Sequence, residues 1–114
     1  MKVQKMSNFV EIGKDIKNGD VVTIENEGEW TGEDAKYGNK LVILLGLVNG
    51  EIKKATLNNT TFNTLIDEFG DDTMDWIKQE VRVHIIQTKV GNDFKDVLYL
   101  THPNKDLKGK EINA

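Results

Sequence analysis

The chain has 114 residues, 38% of them hydrophobic and 30% charged, with no cysteine and a formal net charge of −4. That length is one domain's worth with a globular balance, and the missing thiols exclude a disulfide framework and any thiolate zinc site. The longest apolar run, 41–48, is far short of the ~20 residues a membrane-spanning helix needs.

The lead segment, 1–19, carries scattered apolar residues (Val3, Met6, Phe9, Val10, Ile12, Ile16) and lysines but no apolar stretch of signal-peptide type, so an intracellular, cytoplasmic protein is expected. Asn18-Gly19-Asp20 marks a turn. Alternation of Val22 and Ile24 with Val21 and Thr23 predicts a first strand over 20–30, bent at Gly28. A polar loop, 31–39, leads to a second strand over 40–48, apolar on both faces and so expected to be buried on both. Asn49-Gly50 predicts a tight hairpin of type I′ into a third strand over 51–57.

The period then changes. Phe62, Leu65, Ile66 and Phe69 fall at helical spacing, Asn58, Asn59 and Thr60 offer N-caps, and Gly70 stands where a C-terminal glycine belongs. Asp72 can cap a short second turn that carries Trp76 inward to the core. A fourth strand is expected over 80–87 and a fifth over 94–100, with Gly91-Asn92 turning between them and Pro103 ending the ladder. The last residues, 102–114, are polar and expected to be loose.

The order strand-strand-strand-helix-strand-strand predicts a mainly β domain. It matches the OB-fold, a five-stranded partly open Greek-key barrel with its helix between the third and fourth strands. An α+β sheet with one helix packed on it has the same order. The stretch LNNTTFNTLIDEFGDDTMDWIKQEV (57–81), followed by DVLYLT (96–101), resembles a group of small OB-fold-like proteins from viruses and mobile elements of archaea and bacteria. The resemblance covers about the last 45 residues and implies single-stranded nucleic-acid binding, with no catalytic residue to carry over. It also implies a glycine after the Trp-Ile pair, where this chain has Lys78.

Catalytic signatures are not evident. Ser7 is the lone serine and stands outside any G-x-S-x-G, and no phosphate-binding glycine motif occurs. His84 and His102 lack ligand spacing, and Asp67, Glu68, Asp71, Asp72 and Asp75 do not meet the EF-hand pattern. No enzyme activity, cofactor or metal is expected.

The acidic total argues against a general basic field, but the charge is segregated. Residues 20–35 hold six acids and no base, whereas residues 36–57 hold four lysines and one acid. An OB-fold binds its ligand on the second and third strands, flanked by the first-to-second and fourth-to-fifth strand loops. That rule assigns Trp30, Lys36, Tyr37 and Lys40 from the first loop and its margins, Lys53 and Lys54 from the third strand, and Lys89 and Phe94 from the second loop, with Arg82 nearby. Aromatic rings stack bases while lysines meet phosphates, which favours single-stranded DNA or RNA. Glu33 and Asp34 in the first loop oppose phosphate. The competing expectation is a protein-interaction module that uses the acidic surface, or an exposed strand added to a partner's sheet.

Overall fold

A computed structural model describes residues 9–32, 34 and 38–112. Among these residues, six strands make one open antiparallel sheet: β1 (Val21–Ile24), β2 (Glu29–Trp30), β3 (Leu41–Gly46), β4 (Ile52–Thr56), β5 (Glu80–Val90) and β6 (Asp93–Thr101). One helix, α1 (Asn59–Phe69), and a single 3₁₀ turn (Thr73–Trp76) lie between β4 and β5. Across the sheet the order runs β4, β3, β1, β5, β6, with β2 beside β3 on the same edge as β1. None of the helices among the described residues is long and apolar enough to cross a membrane.

The strand expected over 20–30 is two strands, which raises the count from five to six. Ile24 pairs with Leu45 and Glu29 with Val42, so two extra residues enter on the β1–β2 side of the ladder. Gly28 makes the break, taking φ 84. The Asn26 side chain replaces the lost ladder bond by accepting the Leu44 N–H at 2.9 Å.

Period-2 alternation builds the core from one face of the sheet. Val22, Ile24, Leu41, Ile43, Leu45, Ala55, Val81, Val83 and Leu100 are buried with Leu65 of α1, Trp76 and Ile16. Trp76 buries its ring and donates Nε1–H to the Gly70 carbonyl at 2.8 Å. Ile16 closes the core from the lead segment, whose Phe9 bridges Lys54 in parallel along the outer edge of β4.

The expected barrel does not close. Among the described residues β4 and β6, at the two ends of the sheet order, share no ladder. The start of α1 holds the edge of β6 instead. Asn58 donates Nδ2–H to the Leu98 carbonyl at 2.8 Å, and Thr61 Oγ1 accepts the Leu100 N–H at 3.1 Å. Asn58 also caps α1, accepting the Thr61 N–H, and Gly70 ends it at φ 94.

The β3–β4 hairpin forms, but not through a two-residue type I′ turn. Gly50 N–H donates to the Leu47 carbonyl at 2.9 Å and Leu47 N–H to the Glu51 carbonyl at 2.8 Å. Gly50 alone takes positive φ, at 91. This is the three-residue loop in which a turn is followed by a left-handed residue. Lys78, standing where the resemblance implies glycine, takes φ 71, donates its N–H to the Ile24 carbonyl and pairs its ammonium with Glu25.

Segment 102–112 folds back on the body. Lys105 pairs with Glu111 in a short bridge and its ammonium reaches Glu68 at 2.7 Å. The Lys110 backbone N–H, and after it that of Lys108, holds the Asp106 carboxyl below the usual carboxylate range.

Candidate functional site

The outer face of β3 carries a groove of about 330 Å³. Its floor is built by register. Directly opposed residues of antiparallel strands share a face, so Leu44 lies beside Lys54, and Val42 lies between Glu29 and Thr56. The bridge from Phe9 extends the Leu44–Lys54 row by one more residue. Val42 and Leu44 are only half-buried. The strand expected to be buried on both faces therefore covers one of them incompletely.

Trp30 stands at the end of β2 with 55% of its surface exposed. Phe62 of α1 meets it edge-on at 5.6 Å between ring centroids, and Trp76 backs Phe62 at 6.1 Å. Trp30 is opposed to Leu41, so its ring stands at the end of the sheet on the core-facing side, anchored by Phe62 and open beyond it. Trp30 lines the β3 groove with Lys54, and a second depression, of about 220 Å³, with Lys40. Lys40 is half-buried and donates to Asn59 Oδ1 at 3.2 Å. Lys54 makes no ion pair among the described residues.

The nine residues singled out from the sequence do not form one site. Trp30, Lys40 and Lys54 come together. Lys36 and Tyr37 lie outside the described residues, as does Glu33; Asp34 is exposed. The neck of their loop is tied by Thr31 Oγ1 donating to the Gly38 carbonyl at 3.1 Å and by Gly32 N–H donating to Asn39 Oδ1 at 2.9 Å.

Lys53 is engaged elsewhere. It is opposed to Leu45, on the other face of β4 from Lys54, and its ammonium contacts both Asp15 oxygens at 3.0 Å. The Glu11 N–H and then Lys53 lower the Asp15 pKa, and the Asp15 hydrogen bond raises that of Lys53. Arg82 is a staple between segments: its Nε–H donates to the Pro103 carbonyl at 2.7 Å and Nη1 to the Gly19 carbonyl at 3.2 Å.

Lys89 and Phe94 are strand residues, not loop residues. They are opposed on an arm formed where β5 and β6 run on past the sheet. Because β5 is antiparallel to β1, with Thr23 opposite Glu80 and Val21 opposite Arg82, the arm extends beyond the start of β1. Trp30 lies past the other end of β1, so the two expected flanks sit at opposite ends of the sheet.

Phe9, Asn26, Val42 and Leu44 belong to the groove and were not singled out from the sequence. The legible signal was the second apolar face of the 40–48 strand. The histidines take packing positions. His84 Nε2 lies 2.8 Å from Thr101 Oγ1, and the His102 ring stacks at 6.3 Å on Phe69. Thr101 Oγ1 lies within donating distance of two carbonyls, so its single proton is committed there and His84 is the donor to it. Among the described residues no three His, Asp or Glu side chains converge as a metal site. No family model matches the chain, and no curated protein sequence matches it.

Proposed function

We propose that this chain is a non-catalytic module that binds single-stranded nucleic acid around the β2 end of the sheet, where Trp30 borders both the outer-face groove of β3 and the depression beside Lys40. The observation that carries the reading is Trp30: an aromatic ring braced from behind by Phe62, more than half exposed, with one lysine-bearing depression on each side. A base stacks on such a ring whatever its identity, contributing ~1–3 kcal/mol, while Lys54 and Lys40 meet the backbone phosphates. Glu29 in the β3 groove repels phosphate, which directs the strand's backbone toward the Lys54 side.

The element order supports an OB-like reading of the sheet, once β1 and β2 are taken as one broken strand and α1 as the filler of the gap between β4 and β6. With it comes a role in replication or recombination of a mobile element, as the resemblance over 57–101 implies.

The test is fluorescence anisotropy of a labelled single strand of about 20 nucleotides, long enough for one or more such folds, at two salt concentrations. Trp30 emission is read in parallel, because the other tryptophan, Trp76, is buried. Saturable binding that weakens with salt and quenches Trp30 is expected. Absence of binding at low salt, for DNA and RNA alike, would overturn the proposal.

A further inference from the structure

Two stretches of strand edge are occupied by groups from outside the sheet. Phe9 and Val10 take the β4 edge at Lys54, and Asn58 and Thr61 take the β6 edge at Leu98 and Leu100. The β5 edge over residues 86–90, by contrast, pairs with nothing among the described residues. Here the β5–β6 arm leaves the sheet. Ile86, Val90 and Phe94 are 42%, 59% and 66% exposed on it.

We infer that this edge pairs with the same edge of a second copy of the chain, in an antiparallel register centred on Thr88. The backbone fixes the choice. Val83 N–H donates to the Asp20 carbonyl, Gly19 N–H to the Val83 carbonyl and Ile85 N–H to Asn18 Oδ1. Odd-numbered residues of β5 therefore point their backbone groups away from β6, and Gln87 and Lys89 continue that series. Asn18 ends the occupied stretch at Ile85, so the free edge begins at Ile86.

With Thr88 on the two-fold axis, Gln87 lies opposite Lys89 of the second copy and exchanges both backbone hydrogen bonds with it. The symmetric pair doubles the number. Ile86 then falls opposite Val90 of the second copy in the closer, non-hydrogen-bonded spacing. Val97, already opposite Ile86 within the arm, extends that apolar row.

Moving the axis to Lys89 opposes two ammonium groups directly, which is destabilising. Moving it to Gln87 calls on the Ile85 N–H that Asn18 has taken. On the other edge of the arm, an axis at Lys95 again opposes like charges, and an axis at Phe94 runs into the Gly91-Asn92 turn after three residues. The lysine that discourages indiscriminate strand addition thereby selects one register, and an isologous contact of this kind closes as a dimer.

The chain has no cysteine, so single cysteines report the axis cleanly. Thr88→Cys places two sulfurs on the axis in a pair with Cα atoms about 4.5 Å apart, within disulfide reach. It should give a covalent dimer on oxidation, while Asp93→Cys and Phe94→Cys should remain monomeric. Sedimentation of the unmodified chain across the micromolar range should show a monomer–dimer equilibrium.

Gln87→Lys, stabilised within its own arm by Asp96 opposite, should weaken that equilibrium several-fold by facing Lys89 of the second copy. Adding Lys89→Glu should restore it. A monomer at every concentration, cross-linking through position 94 instead of 88, or no response to the charge exchange would each overturn the inference. None of these outcomes depends on nucleic-acid binding.

Discussion

Gly28 lies against Leu41 so closely that a Cβ added to it would stand 2.9 Å from Leu41 Cδ1 and 3.0 Å from Ile43 Cγ2. Its φ of 84 is also one that side-chain-bearing residues adopt at a cost. Gly28→Ala combines backbone strain with overpacking and is expected to destabilise by about 2–4 kcal/mol. Urea unfolding checks it. Because β2 hangs from this bend, Trp30 emission in the folded variant should shift as well.

Asn58 serves two elements with one amide, its oxygen to the helix and its nitrogen to β6. Asn58→Asp preserves the cap but removes the donor to the Leu98 carbonyl, and should cost about 1–3 kcal/mol although aspartate is as good an N-cap. Asn58→Ala loses both and should cost more. Hydrogen exchange of β6 amides should rise in the two variants alike.

Lys78 holds a left-handed conformation without being glycine. Lys78→Gly and Lys78→Ala both lose the Glu25 ion pair, so their difference isolates the backbone. The glycine variant should be the more stable by about 1 kcal/mol, read from denaturation midpoints of the pair.

His84 is held below the ordinary histidine pKa of 6.5, chiefly because burial disfavours its charged form. The unfolded chain therefore binds a proton first as pH falls. The stabilisation is fully present above about 6.5 and is lost as pH drops from there through the lowered folded value. His84→Gln should flatten this limb of the stability–pH curve and leave the steeper carboxylate limb at lower pH unchanged. Thermal unfolding between pH 5 and 8 distinguishes the two limbs.

For the proposed interface, Trp30→Ala should weaken single-strand binding by about tenfold or more, with little change in salt dependence. Lys54→Ala should reduce the salt slope by about 0.7, one phosphate's worth on a single strand. Lys53→Ala should leave the slope alone and instead loosen the lead segment that Asp15 anchors. Titrations at several salt concentrations read all three.

The helix and the β3–β4 hairpin were legible because their signals are local: apolar residues at helical spacing, Asn58 and Gly70 at the ends, and Gly50 at the turn. Gly28 announced a bend, but not that two residues would leave the ladder there, which depends on how Leu41 and Ile43 fill the space beside it. Lys53 and Lys54 are neighbours in sequence on opposite faces of β4, and only the register tells which is drawn to Asp15 and which faces the groove. The failure of the sheet to close rests on side chains of Asn58 and Thr61 meeting backbone some 40 residues away, a relation no local pattern encodes.

That long-range contact also bears on how the chain is made. During synthesis α1 emerges before β6, the strand whose edge it holds. Until β6 arrives, the Asn58 amide and the Thr61 hydroxyl lack their strand partners, and the full length of β5 on that side is an unpaired template. Contacts between groups some 40 residues apart form slowly, and an open edge on a growing chain invites the wrong neighbour. The last strand is therefore the step at which a nascent copy is most exposed to mispairing, and a chain stalled between Val90 and Asp93 would present the longest sticky edge this fold can offer.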